Sequence, residues 1–237
     1  MKAINKVLTG LLGSLLLTTI AKPSNAITFS LGGTSVPGEG QFSSMPGVTT
    51  IDFNSGAAPT SGPIVYSASG GSPTIVEGTV WGSAAPLDDS SKYLVVSPFR
   101  VGDPGNFGTS PVTINSNNGL LDYFGLYWGS MDYGNRIDFY QGNTLLQSFT
   151  GGDIITSFPV NRGGEYVNFS ATGASDYFDK IVLSPSLPFE SDNHAIKCVE
   201  VEDCPPSSIP EPTSAIGLLV FGAFAYGLRK GEKVANK

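Results

Sequence analysis

Between Ile27 and Ala195 the chain reads as short runs of apolar, aromatic and β-branched residues separated by turn residues. Such runs suit pleated, half-buried backbone, and successive side chains along them point to opposite faces. They predict strands over Ile27–Leu31, Val48–Phe53, Ile64–Ser67, Thr74–Val80 and Tyr93–Val96, with Gly-Gly, Ser-Pro and Ala-Pro punctuation between them. The strongest runs are Leu121–Trp128, Arg136–Tyr140, Thr144–Phe149, Glu165–Ser170 and Phe178–Leu183. Gln141-Gly142-Asn143 joins two of them as a tight hairpin turn, since Gly and Asn tolerate positive φ. With no helical stripe among them, about ten short strands predict an all-β fold, an antiparallel jelly-roll-like β-sandwich. In the run Leu121–Trp128, Tyr123 and Tyr127 share one face while Phe124, Leu126 and Trp128 share the other. Trp128 is expected in the core, and Tyr127 and Tyr133 on the surface.

Two continuous apolar runs lie outside this pattern. Val7–Ile20 follows Lys2 and Lys6 and is followed by Ser24-Asn25-Ala26, with small residues where a signal peptidase reads. Residues 1–26 therefore read as a secretory signal peptide, cleaved between Ala26 and Ile27. The second run, Ala215–Leu228, is 14 residues of apolar side chains and glycine, preceded by Pro210-Glu211-Pro212-Thr213-Ser214 and followed by Arg229-Lys230. Proline fixes φ and disfavours helix in the residue before it, so a helix can begin only after Pro212, capped by Thr213 or Ser214. Such a helix reaches about 21 Å at ~1.5 Å per residue. A bilayer core is about 30 Å thick, so the span is marginal and suits a transient membrane anchor. Arg229, Lys230 and Lys233 hold its C-terminal end in the cytoplasm.

A Pro-Glu-Pro element, a short apolar helix and a basic end, in that order over residues 210–237, resemble the PEP-CTERM sorting signal of bacterial exosortase substrates. The resemblance implies that a membrane-embedded exosortase cuts near Pro210, Glu211 and Pro212 and passes the protein to the cell surface or extracellular matrix. An ordinary anchor helix is the other reading. The block Leu121–Ser130, with Asn135–Tyr140 and Phe189-Glu190-Ser191-Asp192-Asn193, resembles the body of cyanobacterial exosortase-dependent surface proteins, which are similar in outline to jelly-roll carbohydrate-binding modules. In that comparison His194 stands where the last core strand is usually apolar.

The expected division is a signal peptide over 1–26, a β-sandwich domain over 27–199, a flexible linker over 200–209 and the sorting signal over 210–237. Residues 200–210 are rich in acids, Pro and Ser and cannot bury enough apolar surface to order themselves, which suits a solvated tether. The partners implied are signal peptidase and the export machinery, an exosortase, the membrane during transit, and a surface polysaccharide.

Composition agrees with an exported β protein: 30 glycines, 17 prolines and 14% charged residues leave little material for solvent-facing helices. Between Ile27 and Pro210 stand six basic and eighteen acidic side chains, a net charge of −12. That balance excludes a phosphate-tracking nucleic-acid groove. It is compatible with calcium, with cationic partners, or with solubility alone.

The candidate chemistry is sparse. Cys198 and Cys204 are the only cysteines, and on the exported side they predict a disulfide closing a small loop. Zinc would need further ligands than the single histidine, His194, supplies. No Gly-x-Ser-x-Gly elbow accompanies that histidine, and a glycosidase would need two carboxylates about 5 to 9 Å apart, with Asp122, Asp132, Asp138 and Glu165 as candidates. The protein is expected not to be an enzyme. Calcium takes six to eight oxygen ligands. Glu190, Asp192 and Asn193 near the last strand could meet Asp52 and Asn54 near an early one, since first and last strands often pair in sandwiches; a solvated acidic rim is the alternative. For glycan binding the candidates are Tyr127 and Tyr133, with exposed aromatic faces as the requirement.

Overall fold

A computed structural model of the chain describes residues 26–103 and 108–199. The signal peptide up to residue 25, the linker, Cys204 and the sorting residues Pro210, Glu211 and Pro212 lie outside the described residues.

The described residues form mostly antiparallel β-structure in two large sheets. The first strands are β1 (Ile27–Leu31), β2 (Thr34–Ser35), β3 (Gln41–Phe42), β4 (Thr49–Ile51), β5 (Ile64–Ala68), β6 (Thr74–Glu77), β7 (Lys92–Val96) and β8 (Val112–Ser116). They are followed by β9 (Leu121–Trp128), β10 (Arg136–Gln141), β11 (Thr144–Thr150), β12 (Glu165–Ala171), β13 (Lys180–Ser184) and β14 (Phe189–Cys198). One sheet has seven strands in the order β1-β12-β9-β14-β7-β6, with β4 also paired to β14. The other has five, β11-β10-β13-β8-β5, and β2 with β3 makes a separate two-stranded hairpin.

The core lies between the large sheets because each offers an apolar row at period two. In the five-stranded sheet Ile137 faces Leu183, Phe139 faces Ile181, and Ile114 faces both Ile181 and Tyr66 across the ladders. The seven-stranded sheet answers with Phe124, Leu126, Trp128, Val167, Phe169 and Ile196, all buried in one cluster with those residues. Phe139 touches the rings of Phe169 and Phe178 at centroid distances of 5.2 and 4.9 Å, and Trp128 stacks on Phe189 at 4.4 Å. Each such ring removed from water contributes roughly 1.5–3 kcal/mol. Trp128 is thus in the core, as its place in the alternation predicts.

One short α-helix, α1 (Gly151–Ser157), and one turn of 3-10 helix at Ala174–Asp176 interrupt the described β-structure, against the expectation of none. The start of α1 is written in the sequence as a capping box. The Thr150 hydroxyl accepts from the Asp153 amide at 3.2 Å, and the Asp153 carboxylate accepts from the Thr150 amide at 2.7 Å. Ile154 fixes it to the core. Among the described residues no helix is long and apolar enough to cross a membrane; the apolar run 215–228 lies outside them.

Candidate functional site

The last strand, β14, sits in the middle of the seven-stranded sheet and carries a buried polar run. On one side it pairs along β9; on the other, β7 takes Phe189–Ser191 and β4 takes His194–Ile196. Asp192 and Asn193 fall in the gap between those two partners. A bulge lies there, because Asp192 pairs with Tyr127 and Ala195 with Gly125, so one residue more passes on β14 than on β9. Asn193 takes φ 50°, a left-handed conformation that Asn tolerates better than most residues.

The bulge aims two consecutive polar side chains at the outer face of the sheet. Asn193 Nδ2 donates to the carbonyls of Glu39 at 2.7 Å and Gln41 at 3.1 Å, and its own carbonyl accepts from the Tyr166 hydroxyl at 3.0 Å. These bonds hold the β2–β3 hairpin across the sheet. Under it Tyr123, Tyr127 and Tyr166 form a second buried cluster with Ala195. Tyr123 donates to Asn168 Oδ1 at 2.6 Å and accepts from the Ser43 hydroxyl at 2.7 Å, while Tyr127 donates to the Leu87 carbonyl.

This overturns the expectation that Tyr127 is exposed: it is 2% accessible, because the hairpin covers the face that alternation leaves outside. Tyr133 is 58% exposed as expected, with the Arg162 guanidinium 5.5 Å above its ring.

Where the hairpin leaves off, a cleft of ≈ 830 Å³ opens between residues 35–41, 87–90 and 161–165. Asp88, Asp89 and Glu165 are among the residues that line it. Burial first, then Asp89, Asp88 and Glu165 in turn, push the Tyr127 hydroxyl up to about 12. Asp89 and Asp88 were not singled out by the sequence; Asp88 holds φ 57°, and that turn gave no apolar pattern to mark it.

The calcium candidates divide. Glu190, Asp192 and Asn193 are buried, so they are not a solvated acidic rim. Burial raises Glu190 above the usual carboxylate range, against hydrogen bonds from Ser130 and from the Ala84 amide at 3.2 Å. Burial, then the charge of Asp89, raise Asp192 to about 9. Asp52 and Asn54 are exposed: Asp52 Oδ1 accepts from the Asn54 backbone N–H at 3.1 Å, while Asn54 Oδ1 accepts from the Lys92 backbone N–H at 3.4 Å. The early strand does pair with the last, yet it does not bring these five side chains onto one point: among the described residues no three His, Cys, Asp or Glu side chains converge to hold a metal.

His194 points inward, on the other side of the bulge. Its ring meets Phe53 and Phe124 edge-on at 5.0 and 5.3 Å, and burial lowers its pKa to about 3. Nδ1 contacts the Tyr66 hydroxyl at 3.0 Å and Nε2 contacts Ser191 Oγ at 2.9 Å, which uses one N–H and one lone pair in either tautomer. A serine beside a histidine is the geometry of an activated nucleophile. Here both side chains have no solvent access, so a substrate has no route to them.

The carboxylates considered for hydrolysis are committed mostly elsewhere. Asp138 is buried against Arg136 at 2.9 Å and Ser148 at 2.5 Å; Asp122 pairs with Lys197 at 3.6 Å and Asp132 with Arg162 at 3.5 Å. Cys198 ends β14, and among the described residues no cysteine is free. No family model, curated protein or solved structure matches this chain.

Proposed function

We propose that this is an exported, non-catalytic protein of the cell surface or extracellular matrix, sorted through a C-terminal PEP-CTERM signal by an exosortase. The single observation that supports it is where the folded body sits in the chain. β1 begins at Ile27, the residue expected to follow signal-peptide cleavage, and β14 ends at Cys198, just ahead of the acidic Pro- and Ser-rich stretch. The two targeting segments of this reading flank a body whose first described strand begins at Ile27 and whose last ends at Cys198. On this reading the two sheets make a jelly-roll-like sandwich, Cys198 pairs with Cys204 beside the tether, and the 215–228 helix holds the precursor in the membrane until it is cut.

The test is to change Pro210, Glu211 and Pro212 together to Ala in cells that make the protein. Export continues and a larger, membrane-held precursor accumulates. An unchanged mature mass and location would refute the assignment.

The acidic cleft favours a second, compatible role in binding a surface polysaccharide. Its polar walls carry Gln41 and Asn161, and the exposed Val36 and Leu87 give it apolar edges for sugar faces. Tyr127 contributes its buried ring to the wall rather than an open stacking face. Retention of the protein on extracted surface polysaccharide, lost on substituting Asn161 with a bulky side chain, tests this role.

A further inference from the structure

At the inner edge of the cleft, behind its visible wall, two carboxylates meet around one hydroxyl. Ser91 Oγ lies 2.5 Å from Asp89 Oδ1 and 3.1 Å from Asp192 Oδ2, and the Ser91 amide donates to Asp89 Oδ1 at 2.8 Å. The remaining oxygens, Asp89 Oδ2 and Asp192 Oδ1, are buried without a hydrogen-bond partner. The residues that carry them are 8% and 0% exposed.

Four carboxylate oxygens therefore draw on the Ser91 hydroxyl, the Ser91 amide and the Asn193 amide and on no cationic side chain, in a region where an unpaired charged oxygen costs several kcal/mol. Asp138, the other buried aspartate, shows the usual remedy, an arginine at 2.9 Å. Among the described residues no salt bridge reaches either carboxylate. A small cation supplies what both orphaned oxygens lack in a place where neither touches solvent.

We propose that Asp89 and Asp192 bind one calcium ion, bridged across Ser91. An all-oxygen donor set is what a hard cation requires, and calcium's irregular shell accepts backbone carbonyls and water for the ligands that side chains do not provide. Asp89 lines the open cleft and gives the ion a way in. The ion ties three separate segments together. Asp89 bridges Gly38 and Glu39 of the hairpin, Ser91 leads into β7, and Asp192 occupies the bulge of β14. Calcium is thus a structural clamp on the hairpin, and this proposal stands whether or not the protein is sorted as described above. The competing occupant is a proton shared by the two carboxyls, consistent with the raised pKa of Asp192.

The experiment uses purified protein stripped with chelator and titrated with calcium chloride by calorimetry, alongside thermal melts and terbium luminescence excited through tyrosine. One calcium per chain binds, the melting temperature rises, and calcium displaces terbium. Asp89→Asn and Asp192→Asn each weaken calcium binding at least tenfold, while Asp52→Asn leaves it unchanged. Ser91→Ala, a milder change, weakens it several-fold and serves if an aspartate variant does not fold. Absence of calcium binding and of any melting shift in the unmodified protein overturns the proposal in favour of the shared proton, and Asp192→Asn is then as stable as the parent. Binding that survives both aspartate substitutions, or that Asp52→Asn abolishes, also overturns it, because the ion then lies elsewhere.

Discussion

Asn193 Nδ2 lies 2.7 Å from the carbonyl oxygen of Glu39, across 154 positions of sequence, and this bond joins the last strand to the hairpin that covers its sheet. The same amide reaches Gln41, and the residue holds φ 50°.

Substitution there separates the two contributions. Asn193→Gly keeps the backbone conformation and loses two hydrogen bonds, a cost of about 2 kcal/mol at ~1 kcal/mol each. Asn193→Ala loses the same two bonds and keeps a Cβ in the left-handed region, which Gly is spared, so it lies ~1 kcal/mol below the Gly variant. Urea denaturation should therefore rank Ala below Gly, the reverse of the usual order within a strand. Equal stability of the two would mean that the bulge relaxes.

The hairpin's fit on the tyrosine layer predicts a contrast between two glycines. A Cβ on Gly40 would collide with the Tyr127 ring, whereas Gly47 faces open space, and both have positive φ, +67° and +74°. Gly47→Ala should cost only the conformational ~1 kcal/mol, and Gly40→Ala about 3 kcal/mol or more as the overpacked hairpin lifts. Increased fluorescence quenching of tyrosine by acrylamide in Gly40→Ala, and not in Gly47→Ala, would locate the damage.

The alternation of apolar residues in β9, β10, β12 and β13 made most of the core legible, because the central positions on one face of each strand are apolar. The central strand was much harder to read. Glu190-Ser191-Asp192-Asn193-His194 looks like solvated rim, yet it is buried throughout, and apart from Asp192 Oδ1 its side chains find partners in Ser91, Ser130, Tyr66 and the carbonyls of the hairpin. Burial of this kind depends on partners more than 100 positions away in the cases of Tyr66, Ser91 and Glu39, and no local pattern announces them. Tyr127 misled for the same reason. Alternation gave its face correctly, but a two-residue strand such as β3 is too short to register as the element that covers it. The expectation of no helix missed α1, because seven residues are too few to set up a helical apolar stripe and the Thr150–Asp153 capping box is the only local mark of its start.

His194 predicts a pH dependence. Its pKa falls from the ordinary 6.5 in the unfolded chain to about 3 in the folded one, through burial. Between those values the unfolded chain binds a proton that the folded chain does not, so stability is lost as pH falls below about 6.5, by at most ~1.4 kcal/mol per pH unit. His194→Gln keeps a donor and an acceptor for Ser191 and Tyr66 and removes this titration. In chelator-treated samples, the stability difference between parent and variant should shrink as pH falls from 7 to 4. A difference that stays constant would show that the buried imidazole is not the titrating group.

The measurement that bears most directly on the central claim is intact mass with terminal peptide mapping of the native protein from membrane, surface and medium fractions. The account predicts a surface or medium form that starts at Ile27 and ends near Pro210, and a minor membrane-bound precursor that retains residues 215–228. A protein that runs through Lys237 and stays in the membrane fraction would contradict sorting by cleavage and make the apolar helix a permanent anchor.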